Sequence, residues 1–204
     1  MKTFLFLLIA VSLSLPAAAE EVKMRDIFAG MPDSILPLIT KNNRLDCIDF
    51  IENNMPARVK NVVDEPIELL RLTDNYLKFT MSKVSYAEMK LMKHRDGRWL
   101  ICVVKTYSGP VADSSVRFYN TDWSLDSSVE CSVPEVESFF SGVPETEQAR
   151  YREVVAQLKD MPFIVIAPNA DDDELTFTLQ TGELPQKDRE WAGRFIKPIK
   201  KNAL

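Results

Sequence analysis

The residue best suited to acid–base chemistry in this chain is its single histidine, His94. With the next two residues it spells the His-Arg-Asp tripeptide of a kinase catalytic loop, but neither a glycine-rich phosphate loop nor an Asp-Phe-Gly segment accompanies it. The nearby Asp96-Gly97 pair is typical of a hairpin turn, which favours a solvated turn position for His94 over a catalytic one. A single histidine also excludes zinc sites that are built from several histidines.

Hydrolytic chemistry receives little support from the spacing of nucleophiles and acids. The sequence has no Gly-x-Ser-x-Gly elbow, and a serine or cysteine triad would have only His94 as its imidazole. With 30 Asp and Glu residues, a carboxylate pair for glycoside hydrolysis is available in any fold and is therefore uninformative. We predict no catalytic residue and no cofactor, and a carboxylate-dependent hydrolase acting on envelope or imported glycans or peptides remains the alternative.

The densest run of charge is Asp171-Asp172-Asp173, which Glu174 extends. Calcium prefers such oxygen-rich loops, but the alternating ligand spacing and the glycine of an EF-hand are absent. The run lies between two predicted strands, so a solvated hairpin turn is the simpler interpretation. We predict no metal site, and these three aspartates are the one candidate cluster.

Aromatic residues near the predicted strands give the best indication of ligand recognition. On an exposed sheet face they would form a platform for a sugar ring or a peptide, whereas in the core they would only pack. The alternating pattern favours the core for most of them. Trp123 stands in the polar context 120–124 and is the best candidate for exposure. The candidate ligand-binding residues are Trp123, Tyr119 and Tyr107.

The three cysteines, Cys47, Cys102 and Cys131, leave at least one thiol unpaired within the chain. Cys102 lies in the apolar run 99–104, where a thiol packs as a small hydrophobic side chain, and Cys47 lies in a helical pattern. We predict that all three thiols are reduced and that Cys47 and Cys102 are buried. A Cys102–Cys131 disulfide is the alternative, because Cys131 lies in a polar segment that is able to approach a strand.

Residues 1–19 have the pattern of a secretory signal peptide. Lys2 precedes an apolar run from Phe4 to Leu15, Pro16 breaks the run, and residues 17–19 are three alanines that suit signal peptidase. The run is too short to span a bilayer, which takes about 20 apolar residues. We predict cleavage near Ala19 and a periplasmic or secreted location.

Composition places the chain among globular proteins, since 46% of its residues are hydrophobic and 27% are charged. The formal net charge of −5 argues against nucleic-acid partners, because phosphate neutralisation needs clustered Lys and Arg. No later apolar run is long enough for a transmembrane span. The leading hypothesis is a non-catalytic exported protein that serves as a binding or structural module for a protein, peptide or glycan. The partner is undetermined, with an envelope protein or a glycan as candidates.

The spacing of apolar residues predicts helices in the N-terminal part of the chain and strands after them. Residues 31–34 predict a turn that caps a short helix through Ile39, and Leu45, Ile48, Ile51 and Met55 follow at helical spacing. In the strand 84–92, alternate residues from 87 to 91 form an apolar face. Short turns favour an antiparallel meander. The predicted strands of this region are 68–72, 76–81, 84–92, 99–107 and 115–119.

The C-terminal third predicts a smaller α/β unit. A helix is expected over 145–158, strands over 163–167 and 175–179, and a final helix from Pro185 that is followed by a basic tail. The fold class is therefore α+β: N-terminal helices, an antiparallel β-meander, and a C-terminal helix–β-hairpin–helix packed on it. We predict a single α+β domain over 20–204. A subdomain break near 133–144 and the choice between one sheet and two remain open.

Several blocks of sequence resemble a known family. They are 31–38 with 40–46 and 48–50, then 72–77, and finally 101–104 with 106–110, 117–119 and 122–123. Together they resemble an uncharacterised family of exported bacterial proteins, domain of unknown function 3256, found in Bacteroidales. The resemblance covers most of the mature chain and implies a Gram-negative envelope location. It implies no known activity and supplies no catalytic residues.

Overall fold

The structure is a computed structural model that describes residues 21–204, so the signal peptide predicted over 1–19 lies outside the described residues. Within this range the chain forms four helices and two antiparallel sheets, which confirms the α+β fold class. The helices are α1 Met24–Gly30, α2 Lys41–Glu52, α3 Gln148–Asp160 and α4 Gln186–Ala192. The strands are β1 Arg58–Lys60, β2 Pro66–Leu72, β3 Tyr76–Ser82, β4 Ser85–Lys93, β5 Trp99–Ser108, β6 Ala112–Asn120, β7 Ile164–Pro168, β8 Glu174–Leu179 and β9 Ile199–Asn202.

The first sheet is an antiparallel meander with the strand order β1-β2-β3-β4-β5-β6. Short turns account for this order, because antiparallel neighbours need no crossover connection. The ladder between β5 and β6 is regular over its whole length, from the Leu100–Asn120 pair to the Ser108–Ala112 pair. The meander expected from the sequence is present, and β1 adds a short strand at its edge.

The second sheet has the order β7-β8-β9, so the strands form two sheets. The basic tail expected after the last helix contains a strand that was not predicted, because Ile199–Asn202 forms β9 and pairs with β8. Ile199 lies opposite the buried Phe177, while Lys200 and Lys201 are exposed. A short strand rich in lysine suits the edge of a sheet, where charge opposes further pairing.

Two hydrophobic cores lie on opposite faces of β4 and β5. One packs α1 and α2 against odd-numbered side chains such as Met89 and Val103. The other packs α3, α4 and the second sheet against even-numbered side chains such as Val104. Because both faces are covered, Glu88 and Lys90 of β4 are buried as well. Each large apolar side chain in these cores stabilises the fold by about 1.5–3 kcal/mol.

The segment 31–39, which the sequence predicted as a turn and a short helix, forms consecutive turns without a helix. Pro37 lacks the N–H that a helix interior needs. The guanidinium of Arg44, which is 1% exposed, instead holds the segment: Nη1 donates to the carbonyl oxygen of Ile39 at 3.0 Å, and Nη2 donates to that of Met31. The first helix of the structure, α1, ends at Gly30 and lies before this segment in the chain.

The remaining helices begin close to the expected residues. A capping box at Thr40 starts α2, and Pro185 is the N-cap of α4. Residues 145–147 form a 3-10 turn, so α3 begins at Gln148, later than the predicted 145. Of the helices within 21–204, none has the length and apolar character needed to cross a membrane.

Candidate functional site

Two adjoining pockets lie on the helical face of the first sheet, beside the 31–39 segment. One measures about 250 Å³ and is mainly apolar, and the other measures about 210 Å³ and is mainly polar. Lys105 and Tyr107 line both, so we treat the two as one site, the Lys105 groove. The apolar pocket is lined by Leu36, Pro37, Leu38, Ile39, Phe79, Met81, Ser85, Lys105 and Tyr107. The polar pocket is lined by Val103, Lys105, Tyr107, Ser115, Arg117 and Tyr119.

Lys105 lies where the two pockets meet. Its Nζ donates a hydrogen bond of 2.5 Å to the backbone carbonyl oxygen of Ile35. Burial lowers the pKa of Lys105 from the ordinary 10.5, and the nearby positive charge of Arg117 lowers it further. Among residues 21–204, no carboxylate forms an ion pair with Lys105 or Arg117. Since an ammonium has three donors, Lys105 retains donors for a ligand.

Arg117 supplies a second cation at the open side of the polar pocket. It pairs with Val103 in the β5–β6 ladder and is exposed. Ser115 lies two residues before Arg117 on β6 and Tyr119 lies two residues after it, so the three side chains share one face of the sheet. A planar guanidinium beside an ammonium and hydroxyl groups is the arrangement that favours a carboxylate or a phosphate.

Tyr107 is the exposed aromatic residue of the groove. It lines both pockets and is 57% exposed, and the N–H of the next residue, Ser108, donates to the carbonyl oxygen of Val84 at 2.7 Å, which holds this strand end in place. A large exposed ring beside an apolar pocket is typical of a contact surface. Tyr107, one of the three candidate binding residues, is therefore both exposed and part of a pocket.

The expected exposure of Trp123 is wrong, because the structure buries Trp123 at 8% exposure and Tyr119 at 6%. The tight turn that follows β6 holds Trp123 at a positive φ of 68° and directs the indole inward. There its Nε1 donates to the carbonyl oxygen of Ile27 at 3.1 Å, and its ring lies 5.7 Å from that of Tyr119. Tyr119 still lines the polar pocket, and Trp123 packs behind it.

The aspartate cluster forms the turn between β7 and β8. The Asp172 carboxylate accepts hydrogen bonds from the Glu174 N–H at 2.9 Å and from the Asn169 side-chain amide at 2.6 Å. In the part of the chain that the structure describes, no three His, Cys, Asp or Glu side chains are placed to hold a metal ion. The turn faces Lys90, whose Nζ donates to the Ala170 carbonyl oxygen at 2.7 Å. Burial lowers the pKa of Lys90, and the negative charges of the turn oppose that shift.

His94 and the cysteines do not line the groove. His94 lies in the turn between β4 and β5, with Nδ1 2.9 Å from the Asp96 carboxylate. Cys47 and Cys102 are fully buried, Cys131 is half-buried, and all three thiols are free in the structure. Burial raises the pKa of Cys47 to about 11 and also raises that of Cys102. Thiols of this kind react slowly, because the thiolate is the nucleophile.

A buried polar cluster lies on the opposite face of the sheet from the groove. The Tyr76 hydroxyl donates to Glu88 Oε1, and Lys78 Nζ lies 3.4 Å from the same oxygen. Glu88 is 4% exposed, and its Oε2 has no hydrogen-bond partner in the described chain. Burial and the bond to Glu88 raise the pKa of Tyr76. Because Glu88 is almost fully buried, we assign this cluster a structural role between the first sheet and the elements that cover this face.

Where the pKa of a described carboxyl group departs from its ordinary value, it is lowered. A lowered pKa does not suit a general acid. Hydrogen bonds from the Arg98 N–H, His94 and the Arg98 side chain lower the pKa of Asp96 to about 2. Hydrogen bonds from Ser128 and Arg98 lower that of Asp126 to about 2. The acid of a hydrolytic carboxylate pair needs a raised pKa. These groups therefore give the hydrolase alternative no support.

Lys105 and Arg117 were not among the residues predicted from the sequence, although the pattern around Lys105 carried a signal. Lys105 follows Ile101 and Val103 at intervals of two residues, so in a strand its side chain shares their face of the sheet. That face is apolar and packs against the helices α1 and α2. A lysine on an apolar face is unusual and marks a site worth attention. Arg117 lies in the predicted strand 115–119, where no comparable signal marks it.

Comparison with known proteins supports the fold and leaves the activity open. A family model described as "Protein of unknown function (DUF3256)" matches residues 16–201. The solved structure of a domain of an uncharacterized protein from Porphyromonas gingivalis W83 is similar, with a TM-score of 0.68 and 24% sequence identity. The alignment covers 86% of this chain and 90% of that one, and at this identity it shows a common fold. No curated protein matches the chain.

Proposed function

The chain belongs to the DUF3256 family of proteins of unknown function, and from that premise we propose that it is a non-catalytic, exported binding protein. Its ligand is the C-terminal end of a peptide, held in the Lys105 groove. The carboxylate contacts Lys105 and Arg117, and the last side chain enters the apolar pocket. Export rests on the signal-peptide pattern of residues 1–19, and a periplasmic or secreted location follows from it.

The observation that carries this proposal is a pair of cations without acidic partners beside an apolar pocket. Lys105 is half-buried and Arg117 is exposed, and neither forms an ion pair within 21–204. A half-buried ammonium without a counter-ion is costly, so an anionic ligand would stabilise it. The planar guanidinium of Arg117 suits the two oxygens of a carboxylate.

The apolar pocket favours a peptide over a glycan. Leu36, Ile39, Phe79 and Met81 line it, and its volume of about 250 Å³ lies just below the usual range for small-molecule sites. One large apolar side chain fits such a space. A glycan site would use several exposed aromatic faces, whereas the groove presents Tyr107 alone and the rings of Tyr119 and Trp123 are buried against each other.

The lining of the groove also supports binding over hydrolysis. The residues around its two pockets include cations and hydroxyl groups, and the described lining has no Asp, Glu, His or Cys. Two carboxylates would be required for glycoside hydrolysis. The hydroxyl groups of Ser115 and Tyr119 are suited to additional hydrogen bonds with the carboxylate.

Calorimetric titration of a tripeptide tests the proposal. Acetyl-Ala-Ala-Leu with a free carboxylate is titrated into the mature chain and into the variants Lys105→Met and Arg117→Gln. A hydrogen bond to a charged group contributes about 1.5–3 kcal/mol, so Lys105→Met should weaken binding by about tenfold or more. Arg117→Gln should weaken it by about two- to fivefold, because the cation is exposed.

The control variant is Lys60→Met, which removes an exposed lysine on β1 and should bind the peptide like the wild type. Circular dichroism checks that each variant is folded. Wild-type protein that does not bind the tripeptide, or Lys105→Met protein that binds it equally well, would refute the proposal.

A further inference from the structure

The outer edge of β6 is a regular strand edge that the rest of the chain leaves partly open. β6 pairs with β5 on one side and is the last strand of the sheet. At its end, the Asp126 N–H donates to the Phe118 carbonyl oxygen at 2.9 Å, so the backbone groups of Phe118 point away from β5. Backbone direction alternates along an antiparallel strand, so the groups of Val116 point outward too. The described residues offer the Val116 N–H and C=O no hydrogen-bond partner.

A cleft of about 620 Å³ runs along this open edge. The segment 125–133 starts beside β6 at the Tyr119–Leu125 bridge and then separates from it, which creates the outer wall. Hydrogen bonds from Arg98 to Asp126 and Asn120 fix the start of that wall. The cleft is lined by residues 114–118 of β6, Leu125, Asp126, Val129, Glu130, Cys131, Val133 and Ile166.

Other parts of the chain cover the two ends of this edge: Leu125 bridges Tyr119, and the Ile164 and Ile166 N–H groups donate to the side chains of Asp113 and Ser114. The stretch around Val116, between these contacts, lacks the features that usually prevent strand pairing. Proteins protect exposed edges with short strands, lysine, proline or bulges. β1, the opposite edge of the same sheet, is only three residues long and contains Lys60. β6 has nine residues, contains neither lysine nor proline, and keeps a regular register with β5.

We propose that the edge of β6 binds an extended peptide strand of alternating apolar and polar residues, held between β6 and the 125–133 wall. The alternation follows from β6 itself, where Val116 and Phe118 share one face and Ser115 and Arg117 share the other. Apolar side chains of the peptide lie beside Val116 and against Val129. An acidic side chain lies beside Arg117, which has no acidic partner in the described chain. The cleft shares Arg117 with the polar pocket of the Lys105 groove, but neither Lys105 nor the apolar pocket is part of it, so the inference does not depend on the proposed function.

The test uses a capped hexapeptide, acetyl-Val-Ser-Val-Glu-Val-Ser-amide, which has no terminal carboxylate. In free protein, the amide hydrogen of Val116 should exchange fast, while those of Ser115 and Arg117, which face β5, exchange slowly. With the peptide bound, the Val116 amide should become protected by at least about tenfold. Protection of Val116 in the free protein, or no change when the peptide is added, would overturn the proposal.

Two variants at one position separate backbone pairing from side-chain contact. Val116→Ala keeps the N–H and should retain binding within about fivefold, whereas Val116→Pro removes the N–H and should abolish it. Lys105→Met should bind the hexapeptide like the wild type, because Lys105 does not line the cleft. Equal binding by Val116→Pro, or loss of binding in Lys105→Met, would contradict strand addition at β6. If Val116→Pro does not fold, the exchange measurement on the wild type decides the matter.

Discussion

The ammonium of Lys105 donates a 2.5 Å hydrogen bond to the backbone carbonyl oxygen of Ile35, and this contact joins β5 to the 31–39 segment. Arg44 also holds this segment, because it donates hydrogen bonds to the carbonyl oxygens of Ile39 and Met31. Two cations therefore position a stretch of chain that has no regular secondary structure. Their arrangement creates the apolar wall of the groove and leaves Lys105 at its edge.

Replacing Arg44 should destabilise the fold and loosen the groove. Arg44→Met leaves two buried carbonyl oxygens without donors, at a cost of about 2–4 kcal/mol in the free energy of unfolding. Urea denaturation followed by circular dichroism measures the change. Lys41→Met, an exposed change at the start of the same helix, serves as the control and should stay within about 0.5 kcal/mol. A loss below about 1 kcal/mol for Arg44→Met would mean that the segment does not depend on this side chain.

Two matched tyrosine variants test the contribution of the buried Tyr76–Glu88 hydrogen bond to stability. Tyr76→Phe leaves the buried Glu88 carboxylate without its hydroxyl donor and should cost about 1–3 kcal/mol. Tyr86→Phe also removes a tyrosine hydroxyl, on the neighbouring strand β4, where Lys78 Nζ lies 4.6 Å from the centre of the Tyr86 ring. This change should cost less than about 0.5 kcal/mol. Both are measured by urea denaturation. Equal effects of the two changes would contradict the assigned role of Tyr76.

Stability should decrease in alkaline solution because buried acids have raised pKa values. The pKa of Cys47 is about 11 instead of 9.0, and those of Cys102 and Tyr76 are raised in the same direction, each mainly by burial. Their contribution is complete below the unfolded-state values of about 9 to 10 and is lost as the pH rises towards the folded-state values. Unfolding free energies at about pH 8 and about pH 11 test this, with Cys102→Ala expected to show a weaker dependence. Stability that increases over this range would contradict the burial of these groups.

Fluorescence quenching distinguishes a buried Trp123 from an exposed one. Trp99 is 37% exposed, whereas Trp123 and Trp191 are 8% and 2% exposed. Iodide should therefore quench mainly Trp99, since a charged quencher reaches only exposed rings. Trp99→Phe should remove most of the quenchable emission, and Trp123→Phe should leave it unchanged. The reverse result would restore Trp123 as a surface residue.

Much of the fold follows from local sequence, whereas the groove follows from long-range packing. Alternation and turn residues were sufficient to predict β3, β4 and β5, because each strand has a strong apolar face. The tail strand β9 was missed because only Ile199 of its residues is apolar, and its pairing depends on β8. The burial of Trp123 depends on a positive φ within a turn, which its polar neighbours conceal. The groove unites β5, β6 and the 31–39 segment, and no local pattern connects residues that far apart.

We propose that the Lys105 groove recognises a carboxylate. The most direct measurement compares acetyl-Ala-Ala-Leu as the free acid with the same peptide as its C-terminal amide, both titrated into wild-type protein at neutral pH. The two peptides differ only in the charged group that is assigned to Lys105 and Arg117. The acid should bind at least about tenfold more tightly, and Lys105→Met should remove most of this difference. Equal affinity of the acid and the amide for the wild type would contradict the proposal.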